Sequence, residues 1–276
     1  MGSPALDNFR AWQDRIRLTS DHMYLVQQVP GGEWVHVPGC TDVIPKDKGA
    51  INALMTWAAK QVVSAATTLI AEGGLPGDLM TRETAANLIE GCSNAHNERR
   101  DKAADSGTSM HALFEHEVRL MMGQSPARPE RTDAQQLVVD KFLRWAERTN
   151  LQPFATEARV YHPENVHAGT LDLGARLRGE RSKILDYKPL KPGARPRVWD
   201  NYVLQSASYR VSQAVMCGFN EPLGGEIIFY PTPENVDGDV VSLPINDDVH
   251  AAYDAFVGCL AFYRWTKRNA RRRKAA

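Results

Sequence analysis

The segment His167–Tyr209, HAGTLDLGARLRGERSKILDYKPLKPGARPRVWDNYVLQSASY, decides the fold that we predict for this chain. Its first part predicts a β-hairpin, because apolar residues alternate with polar or small ones, as in a half-buried strand. The alternating apolar residues are Leu171, Leu173, Ala175 and Leu177. Gly179-Glu180 predicts the turn, and Lys183 to Lys188 predicts the second strand.

This hairpin gathers charged side chains on one patch of sheet. Folding it about Gly179 brings Asp172 opposite Asp186, within a residue of register. Alternation also places Asp186 and Lys188 on one face and Tyr187 on the other. Two carboxylates held together are costly unless a cation neutralises them, and a divalent ion does so better than one lysine. We therefore predict a metal site; a solvent-exposed sheet face with a cross-strand Lys–Asp pair is the alternative.

Four short motifs in this order resemble the PD-(D/E)XK nuclease superfamily, specifically its RecB-like exonuclease branch as found in bacteriophages. They span roughly residues 105 to 230: G-x-x-x-H at Gly107–His111, G-x-x-D at Gly169–Asp172, D-x-K at Asp186–Lys188, and Q-x-x-x-Y at Gln205 and Tyr209. One departure is Pro189, because a small hydroxyl residue often follows the lysine in that branch. The resemblance implies an α/β fold, with a restriction-endonuclease-like core of a mixed central sheet flanked by helices.

The resemblance also implies roles for the residues of the D-x-K motif. Asp172, Asp186 and Lys188 would be the catalytic set. Asp172, Asp186 and the backbone carbonyl of Tyr187 are oxygen ligands suited to one or two Mg²⁺ or Mn²⁺ ions. Glu157, on the preceding strand, would supply a further carboxylate to the metal, directly or through water; a charge pair with Arg159 at the sheet edge is the alternative. Lys188 would orient the attacking water or stabilise charge on the phosphate.

His111 is the predicted nitrogen ligand of the metal, which would favour Mn²⁺. We expect Ser106-Gly107-Thr108 to break one helix and Thr108 to cap the next, which puts His111 in its first turn. Glu115 then lies one turn further on the same face and would hold the imidazole in one tautomer. A structural histidine beside an ordinary polar pair is the alternative.

Three residues are candidates for contact with a substrate. Gln205 and Tyr209 lie one turn apart in a helix predicted from Asp200 to Cys217, and the resemblance places such a pair beside the substrate strand. Half-buried packing is the alternative for this pair. Arg159, two residues after Glu157 on a predicted strand, could contact a phosphate or form a charge pair at the sheet edge.

The remaining pattern predicts the other elements and three parts. Strands are expected at 23–29 and 33–37 (a hairpin), 156–161, 225–231 and 239–243, a loop at 41–48, and helices at 50–71, 81–101, 133–149 and 247–267. Residues 1–104 would form an N-terminal hairpin and helical region packed on the core. Residues 105–263 would form the nuclease core, and residues 264–276 a basic tail that is a solvated, disordered end or touches phosphates.

Composition excludes several other classes of protein. The 276 residues carry equal numbers of acidic and basic side chains, and no apolar run or signal peptide indicates a membrane protein. The four scattered cysteines favour reduced thiols in the cytoplasm and lack zinc-knuckle spacing. They also lack the clustering of relatives that hold an iron–sulfur cluster, so none is expected. No phosphate-binding loop of an ATPase occurs.

Together these patterns predict a metal-dependent DNA exonuclease that acts in phage DNA recombination or processing. Its partners would be DNA and a phage recombination protein, in the cytoplasm of the bacterial host. Two alternatives stay open: a DNA-binding protein of the same fold that has lost catalysis, and an endonuclease.

Overall fold

The computed structural model describes residues 3–45, 60, 63–64, 67–68 and 95–275. The chain forms two compact units, one of Met1–Pro45 with Met110–Ala276 and the other of Lys46–Ser109. Most of the helix predicted at 50–71 and most of the one predicted at 81–101 lie outside the described residues; those of their residues that are described are helical. The candidate site belongs to the first unit.

The described chain contains six helices and eight strands. In order they are α1 (Ser3–Gln13), β1 (Ile16–Leu18), β2 (Tyr24–Gln27), β3 (Trp34–Val37), α2 (Cys40–Val43), α3 (Ala95–Met121), α4 (Asp133–Arg148), β4 (Gln152–His162), β5 (His167–Arg176), β6 (Lys183–Leu190), α5 (Asp200–Cys217), β7 (Gly224–Pro231), β8 (Val241–Ile245) and α6 (Val249–Ala275). No helix of the described part is both long and apolar enough to cross a membrane.

Two sheets organise these elements. Strands β1, β2 and β3 form an antiparallel sheet, which contains the predicted N-terminal hairpin and one strand, β1, that was not predicted. The central sheet has the order β4-β5-β6-β7-β8, and only its β6–β7 pair is parallel. The predicted α/β class with a mixed central sheet flanked by helices is therefore confirmed.

The hairpin of β5 and β6 has the predicted register but a turn displaced by one residue. The Glu180 N–H donates to the Leu177 carbonyl oxygen at 2.8 Å, which makes Arg178-Gly179 the central pair and not Gly179-Glu180. Both central residues have positive φ, 53° and 73°, as a type I′ turn requires. The ladder pairs Leu173 with Leu185, so Asp172 and Asp186 take the next position of the same register.

Strand β5 is buried on both faces, so the prediction of a half-buried strand was wrong. The consecutive residues Leu171 to Ala175 are all buried, so side chains on both faces of the strand are covered. The strand contributes to one core cluster with residues of α5 and α6 and to another with residues of α3 and α4. The physical reason is position: an inner strand with helices on both sides of the sheet has no face left for solvent. Asp172 is therefore also buried, at 9% exposure.

Three other boundaries differ from the predictions. The loop expected at 41–48 begins with the short helix α2, and the strand expected at 239–243 is β8, Val241–Ile245. The basic end expected to be disordered is helical in its backbone, because α6 continues to Ala275. Arginine and lysine have high helix propensity, so a basic run need not interrupt a helix that is already formed.

The expected break at Ser106-Gly107-Thr108 is absent from the structure. Helix α3 runs without interruption from Ala95 to Met121, so Thr108 is not an N-cap and His111 lies inside the helix. A glycine in a helix costs only about 1 kcal/mol relative to alanine. Burial of Met110, Leu113 and Phe114 in the core cluster compensates for a cost of that size.

Helix α4 begins with a capping box, which gives a stability test of this boundary. The Thr132 hydroxyl accepts a hydrogen bond from the Gln135 N–H, and the Gln135 side chain accepts one from the Thr132 N–H. We expect Thr132→Ala to lower the free energy of unfolding by about 1 kcal/mol in urea titrations. Thr132→Ser retains the acceptor and should stay close to wild type; equal losses in both variants would contradict the capping role.

A buried histidine pair predicts how stability depends on pH. The rings of His162 and His167 stack with centroids 5.6 Å apart, and His167 Nε2 lies 3.0 Å from the Tyr253 hydroxyl. Burial, with smaller contributions from His162 and Arg264, lowers the pKa of His167 to about 3. A histidine in the unfolded chain has a pKa near 6.5. Below that pH, His167 is therefore protonated in the unfolded chain but stays neutral in the folded chain.

Stability should therefore fall as the pH drops from about 6.5 towards 3, with His167 contributing up to about 1.4 kcal/mol per pH unit. His167→Asn should flatten this slope relative to wild type, whatever its effect at neutral pH. Urea titrations of both proteins at pH 7, 6 and 5 measure the difference. Parallel curves would show that His167 is protonated in the folded state.

Candidate metal centre

Side chains from three different elements converge at the predicted metal site. His111 lies on α3, Glu157 on β4 and Asp172 on β5, and one ligand atom from each lies within 4.8 Å of the others. His111 Nδ1 is 3.7 Å from Asp172 Oδ2. Separations of this size leave room for one ion between the three donors. Three of the five ligands predicted from the sequence are thus brought together.

Asp186 and Lys188 lie beside this group on β6, with the side chains on the same face as predicted. Lys188 Nζ is 2.5 Å from Asp186 Oδ2, and Asp186 is only 5% exposed. Apart from this ion pair, neither carboxylate oxygen of Asp186 accepts a hydrogen bond within the described part of the chain. A buried carboxylate with so few partners is costly. A divalent cation at this position would supply the missing compensation, so the residues present fit such an ion.

Tyr187 fixes two of the metal-site side chains from the other face of β6. Its N–H donates to Asp172 Oδ2 at 2.8 Å, which sets the orientation of that carboxylate. Its ring packs in the core cluster against Phe114 and lies edge-on to the His111 imidazole, with centroids 5.4 Å apart. The predicted ligand role of the Tyr187 carbonyl stays a prediction.

The carboxylates of the site destabilise one another. Burial, and then the charge of Asp186, raise the pKa of Asp172 well above its usual range, although Lys188 opposes the effect. Burial, and then Glu115, raise the pKa of Glu157 to about 7. Without a cation, both carboxyl groups are therefore more readily protonated than exposed carboxylates. A bound cation would favour the ionised forms in their place.

The imidazole of His111 is suited to metal binding by its charge state. Burial lowers its pKa, and this effect outweighs the opposing influences of Asp186 and of a hydrogen bond with the Tyr187 backbone. The ring is therefore neutral at pH 7, which is the form that binds metals.

Glu157 reaches the site through a distortion of its strand. It has a φ of 45°, a left-handed conformation that is rare for a residue other than glycine, and the pairs on either side place it opposite Asp172. Such backbone strain costs of order 1–3 kcal/mol and tends to occur at functional sites.

Lys188 is held in place by α5. Burial lowers its pKa, but the charges of Asp186 and Asp172 more than offset this, so the net change is upward and the ammonium stays charged. It donates to Gln205 Oε1 at 3.4 Å, and Gln205 Nε2 donates to the Tyr209 hydroxyl at 3.1 Å. The predicted pair on α5 thus orients the lysine. Its contact with a substrate stays a prediction.

Close packing explains the glycine of the G-x-x-D motif. A Cβ at Gly169 would lie 2.4 Å from a ring carbon of Tyr209 and 3.1 Å from Cys40 Sγ, closer than side-chain atoms approach one another. Only glycine therefore allows Tyr209 to pack against β5 and support Gln205.

Tyr202 is a site residue that the sequence reasoning missed. The Lys188 ammonium lies 5.1 Å from the centroid of its ring, within the range of a cation–π contact. The signal was present, because Tyr202 precedes Gln205 by three residues and so shares its face of the predicted helix.

Two predicted side chains contact residues other than the predicted ones. The Glu115 carboxylate lies 2.6 Å from the Arg119 guanidinium in an i,i+4 ion pair. The Arg159 guanidinium donates to the Ile16 carbonyl oxygen at 3.2 Å, which ties β4 to β1. The predicted roles of Glu115 and Arg159 stay predictions.

Comparison with known proteins adds no family to this picture. No model of a known protein family matches the chain, and no curated protein matches it. Arguments about function therefore depend on the geometry of the site and on the motif resemblance.

Proposed function

We propose that this protein is a metal-dependent deoxyribonuclease of the PD-(D/E)XK type, acting as an exonuclease. The observation that carries the proposal is the buried group of Asp172, Asp186 and Lys188 on neighbouring strands, together with His111 and Glu157. A mixed five-stranded sheet with helices on both faces is compatible with the restriction-endonuclease-like core of that superfamily.

The residues that would hold Mg²⁺ or Mn²⁺ are Asp172, Asp186, Glu157 and His111. Three carboxylates and one neutral imidazole form a donor set that suits these ions, and the nitrogen favours Mn²⁺. When bound, such an ion supplies Lewis acidity towards the phosphate and the attacking water. Its positive charge would also relieve the repulsion that raises the pKa of Asp172.

Lys188 would act as a cation rather than as a base. Its pKa is raised, so at neutral pH it has a proton to donate and no free lone pair to accept one. The ammonium can hold the attacking water or a non-bridging phosphate oxygen by a charge-assisted hydrogen bond. The Gln205–Tyr209 pair and the ring of Tyr202 would keep it aimed at that position.

The preference for DNA ends, and a role in phage DNA recombination or processing beside a partner protein, come from the motif resemblance.

Digestion of end-labelled linear DNA and of closed circular DNA, each with Mg²⁺ or Mn²⁺, tests the proposal. We expect loss of the linear DNA alone, and no loss in EDTA. Cleavage of the closed circular DNA would indicate an endonuclease instead of an exonuclease. Binding without cleavage in either metal would favour a protein that has lost catalysis.

A further inference from the structure

A groove of about 930 Å³ lies between the β2–β3 hairpin and helix α6. This volume is near the upper end of the roughly 300–1,000 Å³ that is typical of ligand clefts. The residues that line it include Asp21, Tyr24, Asp42, Arg264, Lys267 and Arg268.

The two walls of the groove differ in charge. Helix α6 presents Arg264, Lys267 and Arg268, which are exposed, and the sequence has no acidic residue from position 255 to its end. The opposite wall presents the exposed carboxylates of Asp21 and Asp42. Arg264 is already engaged, because it donates to the carbonyl oxygens of a β-turn at residues 165 and 166. Lys267 and Arg268 are therefore the cations available to a ligand.

The groove adjoins the strand that carries the metal centre. The hydroxyl of Tyr24, a groove residue, is 2.9 Å from Thr170 Oγ1 on β5. Thr170 precedes Asp172 by two residues, a distance of about 7 Å along an extended strand. Gly39, also in the groove, forms a bridge with Ala168 of the same strand. The groove therefore lies beside the strand that carries Asp172.

We infer that this groove holds a single-stranded segment of the DNA substrate, with its phosphates along α6 and its base edges towards the hairpin. The inference rests on the proposed nuclease function and adds the path of the strand. Lys267 and Arg268 would neutralise phosphates. Asp21 and Asp42 would accept hydrogen bonds from exocyclic amines of unpaired bases, as carboxylates do from cytosine. A duplex would bring a second phosphate backbone against these carboxylates and be repelled.

Fluorescence anisotropy of a labelled oligonucleotide measures the DNA affinity of the protein in Ca²⁺ over a range of salt concentrations. The oligonucleotide is used both as a single strand and as a duplex. The test protein is Lys267→Gln/Arg268→Gln, and its matched control is Arg144→Gln/Arg148→Gln, which removes two exposed arginines from α4. We expect the test protein to bind single strands at least tenfold more weakly at low salt. Loss of two phosphate contacts should reduce the slope of log K against log salt by about 1.4. The control should keep the wild-type slope.

A second variant tests the opposite wall. Asp21→Asn/Asp42→Asn removes the repulsion and should raise duplex affinity towards that for single strands. If the Lys267/Arg268 variant binds single strands as tightly as wild type, or if its control loses as much affinity, the groove does not bind the DNA. Either result would leave the nuclease proposal unaffected. Equal losses for duplex and single strand would overturn the single-strand path. If the wild-type protein binds no DNA at all, the result contradicts the proposed nuclease function itself, and with it the groove inference.

Discussion

Replacing Asp172 with asparagine should abolish metal-dependent cleavage, lowering its rate by about a hundredfold or more. Changes in residues that merely support metal ligands cost about 10- to 100-fold, so the loss of a ligand itself should cost at least as much. Asparagine keeps the size of the side chain and an oxygen that can accept from the Tyr187 N–H. The change therefore removes the charge and little else.

The same change should make the metal-free protein more stable at pH 7. Burial and Asp186 raise the pKa of Asp172, so the metal-free protein loses stability as the pH rises through that raised pKa. Asparagine carries no charge and escapes this loss. Thermal unfolding in EDTA and in Mn²⁺ gives the comparison: wild type should gain from Mn²⁺, and the variant should start higher and gain little.

Asp239→Asn is the matched control, because it removes an exposed carboxylate and should leave both cleavage and the response to Mn²⁺ unchanged. If calorimetry shows that the Asp172 variant binds Mn²⁺ with wild-type affinity, Asp172 is not a ligand of the metal.

Replacing Lys188 with methionine should lower the rate of cleavage by about 10²- to 10³-fold, the usual cost of losing one donor that stabilises charge in the transition state. Metal binding should persist, because the carboxylates and His111 remain. Single-turnover cleavage measured beside a Mn²⁺ titration separates the two effects. A variant that cleaves at the wild-type rate would contradict the proposed role of the ammonium.

The Lys188 variant should also depend on metal for its stability. The ammonium is the partner of the buried Asp186 carboxylate, and breaking a buried ion pair from one side costs about 3–5 kcal/mol. Mn²⁺ should restore most of this loss by taking the place of the lost cation. Lys188→Arg provides the control, since it keeps the charge beside Asp186 but changes the position of the donor. It should retain stability in EDTA and recover only part of the activity.

Local patterns in the sequence were sufficient to predict the centre of the site. Side-chain alternation and one turn glycine fix the β5–β6 register, and that register is what brings Asp172 and Asp186 together. The bounds of α5 also follow from its sequence, and Gln205 and Tyr209 one turn apart then meet Lys188.

Features that depend on the rest of the chain were not predictable in this way. Burial of β5 on both faces depends on helices distant in sequence, and the positive φ of Glu157 leaves no mark in residue type. The continuity of α3 through Gly107 depends on burial of the residues that follow it. At Gly107 tertiary packing outweighs a local preference of about 1 kcal/mol.

Release of acid-soluble nucleotide from labelled linear DNA, by wild type and by Asp186→Asn, tests the central claim most directly. Asp186 is the buried carboxylate whose oxygens, apart from the ion pair with Lys188, accept no hydrogen bond among the described residues, so its charge should matter most for metal-dependent chemistry. We predict release by the wild-type protein in Mn²⁺, none in EDTA, and none by the variant in either condition. Equal release by both proteins, or release in EDTA, would contradict a metal-dependent nuclease centre at this site.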